Sequence, residues 1–153
     1  MDYEWLEAKV FQRCLDEAER RVLDHVIKRQ RIAKGDKIVA HGARGGTLYI
    51  LRYGNAEVVG SGNRRVRLSS GVEGSQFGEM TFLSGDEASA DVYATSDCLV
   101  YKIARPAFAE LMVNYQNLVF AIFAYMLAHT ASAIRHMNVQ HLAMHQYITG
   151  QRA

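Results

Sequence analysis

The sequence has two cysteines, one proline, one tryptophan and almost no excess of charge in 153 residues. Cys14 and Cys98 lie far apart, and neither belongs to a C-x-x-C pair. That pattern argues against a disulfide or a zinc site and for two reduced thiols in a cytoplasmic protein. Eighteen basic against 16 acidic residues leave a net charge of +2, too small to mark a nucleic-acid surface. Met1-Asp2-Tyr3-Glu4-Trp5 has no positive n-region and no apolar h-region, so no signal peptide is visible. The most apolar run, Leu118 to Ala128, is eleven residues long, whereas a bilayer span needs about 20. No membrane span is expected there, and the run reads as a buried or interfacial helix. Catalytic signatures are missing as well: there is no G-x-S-x-G, no P-loop, no local Cys–His pair and no H-E-x-x-H. The chain is therefore not expected to be an enzyme.

What is present changes period twice. From Trp5 to about Lys28, Leu6, Val10, Leu15, Val22, Leu23, Val26 and Ile27 recur at helical spacing among charged residues. Asp16, followed by Glu17 and Glu19, suits an N-cap with acids in the first turn. From Arg31 to about Ile103 the period becomes two. Short β-branched and aromatic segments (37–40, 47–52, 56–59, 66–69, 91–95 and 99–103) alternate with glycine turns such as Lys34-Gly35-Asp36 and Tyr53-Gly54-Asn55. Closely spaced short strands with no helix between them point to an antiparallel jelly-roll barrel, not a parallel α/β sheet. From Pro106, well placed in a first helical turn, the helical period returns and runs almost to the end. The expected organisation is one mostly-β domain: helices over 1–30, a barrel over 31–104 and C-terminal helices over 105–150.

Within the last segment, Phe120, Phe123, Leu127, Thr130, Ile134, Met137, His141, Met144 and Ile148 step by threes and fours, a heptad seam sustained over about four repeats. Phe120, Phe123 and Leu127 are expected to pack partly on the barrel. Leu127, Thr130, Ile134, Met137, His141 and Met144 are expected to form the interface of a symmetric homodimer; the alternative is a helix folded back on its own domain. His129, His136, His141 and His145 decorate the same helix and could make it pH-sensitive. His141 and His145 are one turn apart, but no acid or cysteine joins them at ligand spacing, so no metal is expected.

The stretch richest in chemical meaning is Phe77-Gly78-Glu79-Met80-Thr81-Phe82-Leu83, followed by Asp86-Glu87-Ala88-Ser89-Ala90-Asp91-Val92. With Lys34–Val39, Thr47–Val58 and Gly74–Glu79 before it, this order resembles the cyclic-nucleotide-binding domain family over about residues 10 to 135. It is similar in flavour to catabolite-activator sensor domains and to regulatory domains of sulfate-permease-like transporters or glutaminases. The resemblance implies a regulatory module for signal transduction, with cAMP or cGMP as ligand. It implies that Phe77, Gly78, Glu79, Met80, Thr81, Ala88, Ser89 and Ala90 form a phosphate-binding cassette. Glu79 would accept a ribose 2′-hydroxyl, and Gly78 would let backbone approach the sugar. N–H groups of Met80 or Thr81 would face the phosphate, with Ser89 and Ala90 touching it from the other side.

One position departs from that pattern. The family usually has an arginine before the Ser/Thr, and this chain has Ala88. Losing a charge-assisted contact of ~3 kcal/mol weakens binding about a hundredfold, and Asp86, Glu87 and Asp91 add unfavourable charge. Arg64, Arg65 or Arg67 could compensate, or could simply be solvated. Two readings therefore stay open: a ligand-responsive sensor, or a dimerisation and partner-docking module with a vestigial pocket. A cupin-type metal enzyme shares the barrel, but the strand region offers only His41 as an imidazole ligand. The catabolite-activator group carries a winged helix-turn-helix beyond its long helix. Here the sequence stops at Ala153, so no direct DNA binding is expected.

Overall fold

The computed structural model describes residues 1–60 and 66–149, and side chains within them except at 66, 140–143 and 145–149. Arg64 and Arg65, and the side chains of His141, His145 and Ile148, lie outside the described set.

A short helix α1 (Tyr3–Leu6) runs into a π-helical turn at Glu7–Phe11. Helix α2 (Glu17–Val26) starts at Asp16, whose carboxylate accepts the Glu19 N–H while Glu19 reaches back to the Asp16 N–H. This capping box satisfies two otherwise orphaned donors. Strand β1 begins at once (Ile27–Ile32), with β2 (Lys37–Val39), β3 (Thr47–Tyr53), β4 (Ala56–Gly60), β5 (Val66–Gly71) and β6 (Gln76–Phe77) behind it. Helix α3 (Glu79–Ser84) precedes β7 (Ala90–Ala94) and β8 (Cys98–Ala104), and α4 (Arg105–Asn114) and α5 (Gln116–Thr149) complete the order.

The strands form two antiparallel four-stranded sheets, β1-β8-β3-β6 and β2-β7-β4-β5. The first sheet is covered on both faces. On β3 and β8, Leu48, Ile50, Tyr101 and Ile103 meet the helices, while Leu51, Cys98 and Val100 point into the sandwich with Ile38, Val39, Phe77, Ala88 and Val92. Successive side chains alternate between two apolar environments, so β3 reads as a nearly continuous apolar run.

Two strands depart from the sequence expectation. β1 starts at Ile27 inside a segment read as helix. Only its end residues are buried, so its Lys-Arg-Gln-Arg interior carries no period-two signal. β6 has two residues and pairs Phe77 with Tyr49, too short to show any period.

The C-terminal segment also divides differently. Helix α4 begins with Pro106 in its first turn and ends at Tyr115, after which α5 sets off anew. The face of α5 that docks on the sandwich is Leu118, Ile122, Tyr125 and Met126. Phe120 and Leu127, expected against the barrel, are 75% and 66% exposed. Phe123 is half-buried and meets the Phe108 ring edge-on, with centroids 5.3 Å apart. Helix α5 has apolar residues on two faces, and the seam register identified the outer one. Ile134, Met137 and Met144 continue that exposed stripe, while the Thr130 hydroxyl turns back to donate to the Met126 carbonyl at 3.0 Å. The eleven-residue apolar run lies inside a longer apolar stretch: Gln116–Val139 has the length and composition to cross a membrane. Its buried residues are instead packed on the sandwich.

Candidate functional site

The cassette is built around a reversal at Gly78. Phe77 ends β6 with its ring buried in the sandwich, and Gly78 turns the chain at φ 76° into α3. That left-handed conformation is open to glycine and strained for L side chains. A Cβ at this position would also run into the Thr47 carbonyl oxygen on β3. The close approach of two backbones thus needs glycine on both counts.

Glu79 is the first residue of α3, half-buried, with no hydrogen-bond or ion-pair partner among the other described residues. Burial pushes its carboxyl above the ordinary carboxylate range, an effect partly offset by its own backbone N–H. An acceptor held in a partly dry site with no cation attached suits a hydroxyl donor. Met80 is exposed, and Thr81 is buried with its hydroxyl donating to the Gly78 carbonyl at 2.9 Å.

Across the cassette, Ala88 is buried inside the sandwich, Ser89 is exposed, and Ala90 opens β7 opposite Gly60. Backbone bonds from Ala88 N–H to the Ala43 carbonyl (3.0 Å) and from Gly42 N–H to the Ala88 carbonyl (2.8 Å) fix this strand against the β2–β3 loop. The same loop carries Arg44, a cation the sequence reading passed over because it stands in a glycine-rich turn. Arg44 pairs with Glu87 at 2.7 Å, and both line an open surface cleft with Gly85 and Asp86. Asp91 is likewise balanced: it accepts from Lys37 at 2.9 Å and from the His41 backbone N–H at 2.8 Å. Those contacts hold its carboxyl below the usual range, the His41 N–H contributing most. Of the compensating arginines considered from sequence, Arg67 lies exposed on β5.

The turn just ahead of the cassette, residues 73–75, is gripped from both ends of the chain. On one side the Tyr125 hydroxyl of α5 donates to the Gly74 carbonyl, and the Gln76 amide donates to the Met126 carbonyl at 3.0 Å. The buried Gln76 Oε1 has no partner among the described residues. On the other side the Trp5 indole N–H donates to Glu73. Arg52 bridges Asp2 at 2.6 Å and Glu73 at 3.2 Å, its guanidinium 5.1 Å from the Trp5 ring centroid. Sequence reasoning missed Gly74, Gln76 and Tyr125 as a group, because no spacing signal links residues 51 apart. His129, one turn beyond Tyr125, meets its ring at a tilt of 51° with centroids 4.5 Å apart and is pushed down in pKa by burial.

The site thus lies on a two-sheet antiparallel sandwich, at a glycine–glutamate turn before a short helix, with helices packed on one sheet. The cyclic nucleotide-binding domain model matches residues 29–115, and the chain belongs to that family. It is 28% identical over 100 residues to the cAMP-dependent protein kinase regulatory subunit of Yarrowia lipolytica, covering 65% of this chain and 26% of that protein. It is 32% identical over 81 residues to the human potassium/sodium hyperpolarization-activated cyclic nucleotide-gated channel 2, covering 53% of this chain and 9% of the channel. The chain thus spans about a quarter or less of these curated relatives. Among solved structures, a cyclic nucleotide-binding domain from Methylobacillus flagellatus superposes with a TM-score of 0.82 at 18% identity, covering 93% of this chain and 83% of that one. The regulatory subunit of a cAMP-independent protein kinase A from Trypanosoma brucei gives 0.66 at 25% identity, covering 84% of this chain and 45% of that one.

Proposed function

We propose that the chain is a cytoplasmic sensor module in which a ribose-bearing ligand occupies the cassette of Phe77–Thr81 and Ala88–Ala90. Occupancy shifts α5, and α5 pairs with a second copy of the chain to pass the change on. The observation that carries the coupling is the pair of bonds from α5 to the approach of the cassette, Tyr125 to Gly74 and Gln76 to Met126. Gln76 is three residues ahead of Glu79, so a ligand that draws Glu79 inward pulls on a residue already bonded to α5. Besides its apolar docking face, α5 is thus tied by polar bonds to the approach of the cassette, the kind of link through which a shift at one element moves another. The family ligands cAMP and cGMP are the starting candidates. The names of the kinase and channel relatives support a regulatory role but not the identity of the ligand. The exposed stripe of Phe120, Leu127, Ile134, Met137 and Met144 supports a partner for α5.

Hydrogen exchange on α5 in the presence and absence of a ligand shown by calorimetry to bind tests the coupling. Amides of residues 116–130 should change protection at least severalfold. Bound ligand with α5 exchange unchanged would sink the coupling.

A second reading, a docking module with a vestigial pocket, is favoured by one observation: Ala88 stands buried among apolar side chains where the family places its arginine. Ala88→Arg discriminates the two. A silent parent whose variant gains cyclic-nucleotide affinity, by about a hundredfold for a restored charge-assisted contact, marks the parent pocket as intact but lacking its clamp.

A further inference from the structure

We propose that the cassette takes an uncharged ribonucleoside, bound through its 2′,3′-diol on Glu79, rather than a charged cyclic nucleotide. This rests on the sensor reading above and names the ligand class for the same site. Three observations lead to it.

The sugar half of the site is complete. Gly78 is locked in a glycine-only turn against Thr47, and Glu79 presents a half-buried carboxylate that no other described residue engages. A carboxylate has two oxygens and accepts from two adjacent hydroxyls at once. A free ribonucleoside offers such a vicinal pair. In a 3′,5′-cyclic nucleotide the 3′-oxygen is esterified, and only the 2′-hydroxyl remains to donate.

The anion half lacks its cation. Ala88 puts a methyl group into the apolar cluster with Ile38, Val39 and Val92. An ionised phosphate entering there loses its hydration without a counter-charge, whereas a hydroxymethyl group meets no such cost.

Two nearby cations are also engaged. Arg44 is held by Glu87 at 2.7 Å and Lys37 by Asp91 at 2.9 Å. With these pairs formed, neither Arg44 nor Lys37 is free to take the place of the missing arginine, and Arg105, the third cation beside α3, donates to the Leu83 carbonyl at 3.3 Å.

The test is calorimetric titration of the full chain with adenosine, guanosine, 2′-deoxyadenosine, cAMP and cGMP. A ribonucleoside should bind at least tenfold tighter than its own cyclic nucleotide. Removing the 2′-hydroxyl should weaken it tenfold or more, and Glu79→Ala should abolish binding while the far-ultraviolet circular dichroism and melting transition are kept. Cyclic nucleotide binding equal to or tighter than nucleoside binding overturns this inference and leaves the sensor reading standing. Nucleoside binding that survives both Glu79→Ala and loss of the 2′-hydroxyl also overturns it. Heat from none of the five at millimolar concentration overturns both this inference and the sensor reading.

Discussion

Gly78 and Glu79 make opposite demands on stability, and both can be measured. Gly78→Ala forces a Cβ into a left-handed φ of 76° and against the Thr47 carbonyl. The combined strain and displacement should cost about 3 kcal/mol, read as a lower midpoint in urea. Glu79 works the other way. Its folded-state pKa lies above its ordinary value of 4.5 because burial disfavours the charged form. The folded chain therefore binds the proton more tightly than the unfolded one. The contribution is fully present below 4.5 and is lost as pH rises through the higher folded value. Glu79→Gln should flatten stability across that window and leave the unliganded protein no less stable at neutral pH. A variant less stable than the parent at pH 7 contradicts the assignment. A carboxylate kept at such a cost is in keeping with a binding role. The turn at Gly78 and the helix that opens at Glu79 were legible, because a glycine beside a single carboxylate in an apolar run is a local pattern. Arg44 was not: its meaning depends on Glu87, 43 positions away, which no local pattern reports.

At the scale of elements, hydrophobic pattern identified the strands with buried faces and failed where burial was absent or where one helix carried two apolar faces. Strands β2 to β5, β7 and β8 showed their β-branched character. Strand β1 hid behind four exposed polar residues between its buried ends. Helix α5 misled in the opposite sense. Leu118, Ile122, Tyr125 and Met126 form one apolar face and Phe120 and Leu127 another, and a helix with two such faces fits more than one register. What the period could not show was that Tyr125 is a polar anchor as well as a core residue. Tyr125→Phe keeps the ring and removes the hydroxyl that donates to Gly74. Leaving that carbonyl without its donor should cost about 1–2 kcal/mol and raise exchange of the amides around 73–76 and 122–129. Thermal melting together with hydrogen exchange checks this. Loss of stability without change in either segment would mean that the bond does not tie them.

For the whole molecule, the central matter is the exposed stripe on α5. Phe120, Leu127, Ile134, Met137 and Met144 share an outer surface beyond the reach of the sandwich. A second copy would bury it in a seam of the kind two-stranded coiled coils use. Leu127→Glu should then convert a dimer to a monomer in sedimentation while barely moving the intramolecular fold, since Leu127 is 66% exposed. A parent chain that sediments as a monomer and floats with phospholipid vesicles would instead assign the stripe to a membrane surface. Length and composition of Gln116–Val139 make that control necessary.

The turn at residues 73–75 has one more consequence, for the order in which the protein is made. Its earlier partners, Trp5, Leu51 and Arg52, leave the ribosome before it, but Tyr125 follows Gly74 by 51 residues. During synthesis the approach to the cassette is held from one side only, and the second hold arrives with α5 itself. Long-range closures of this kind form late. A nascent chain therefore cannot complete the contacts of this turn before it has made α5.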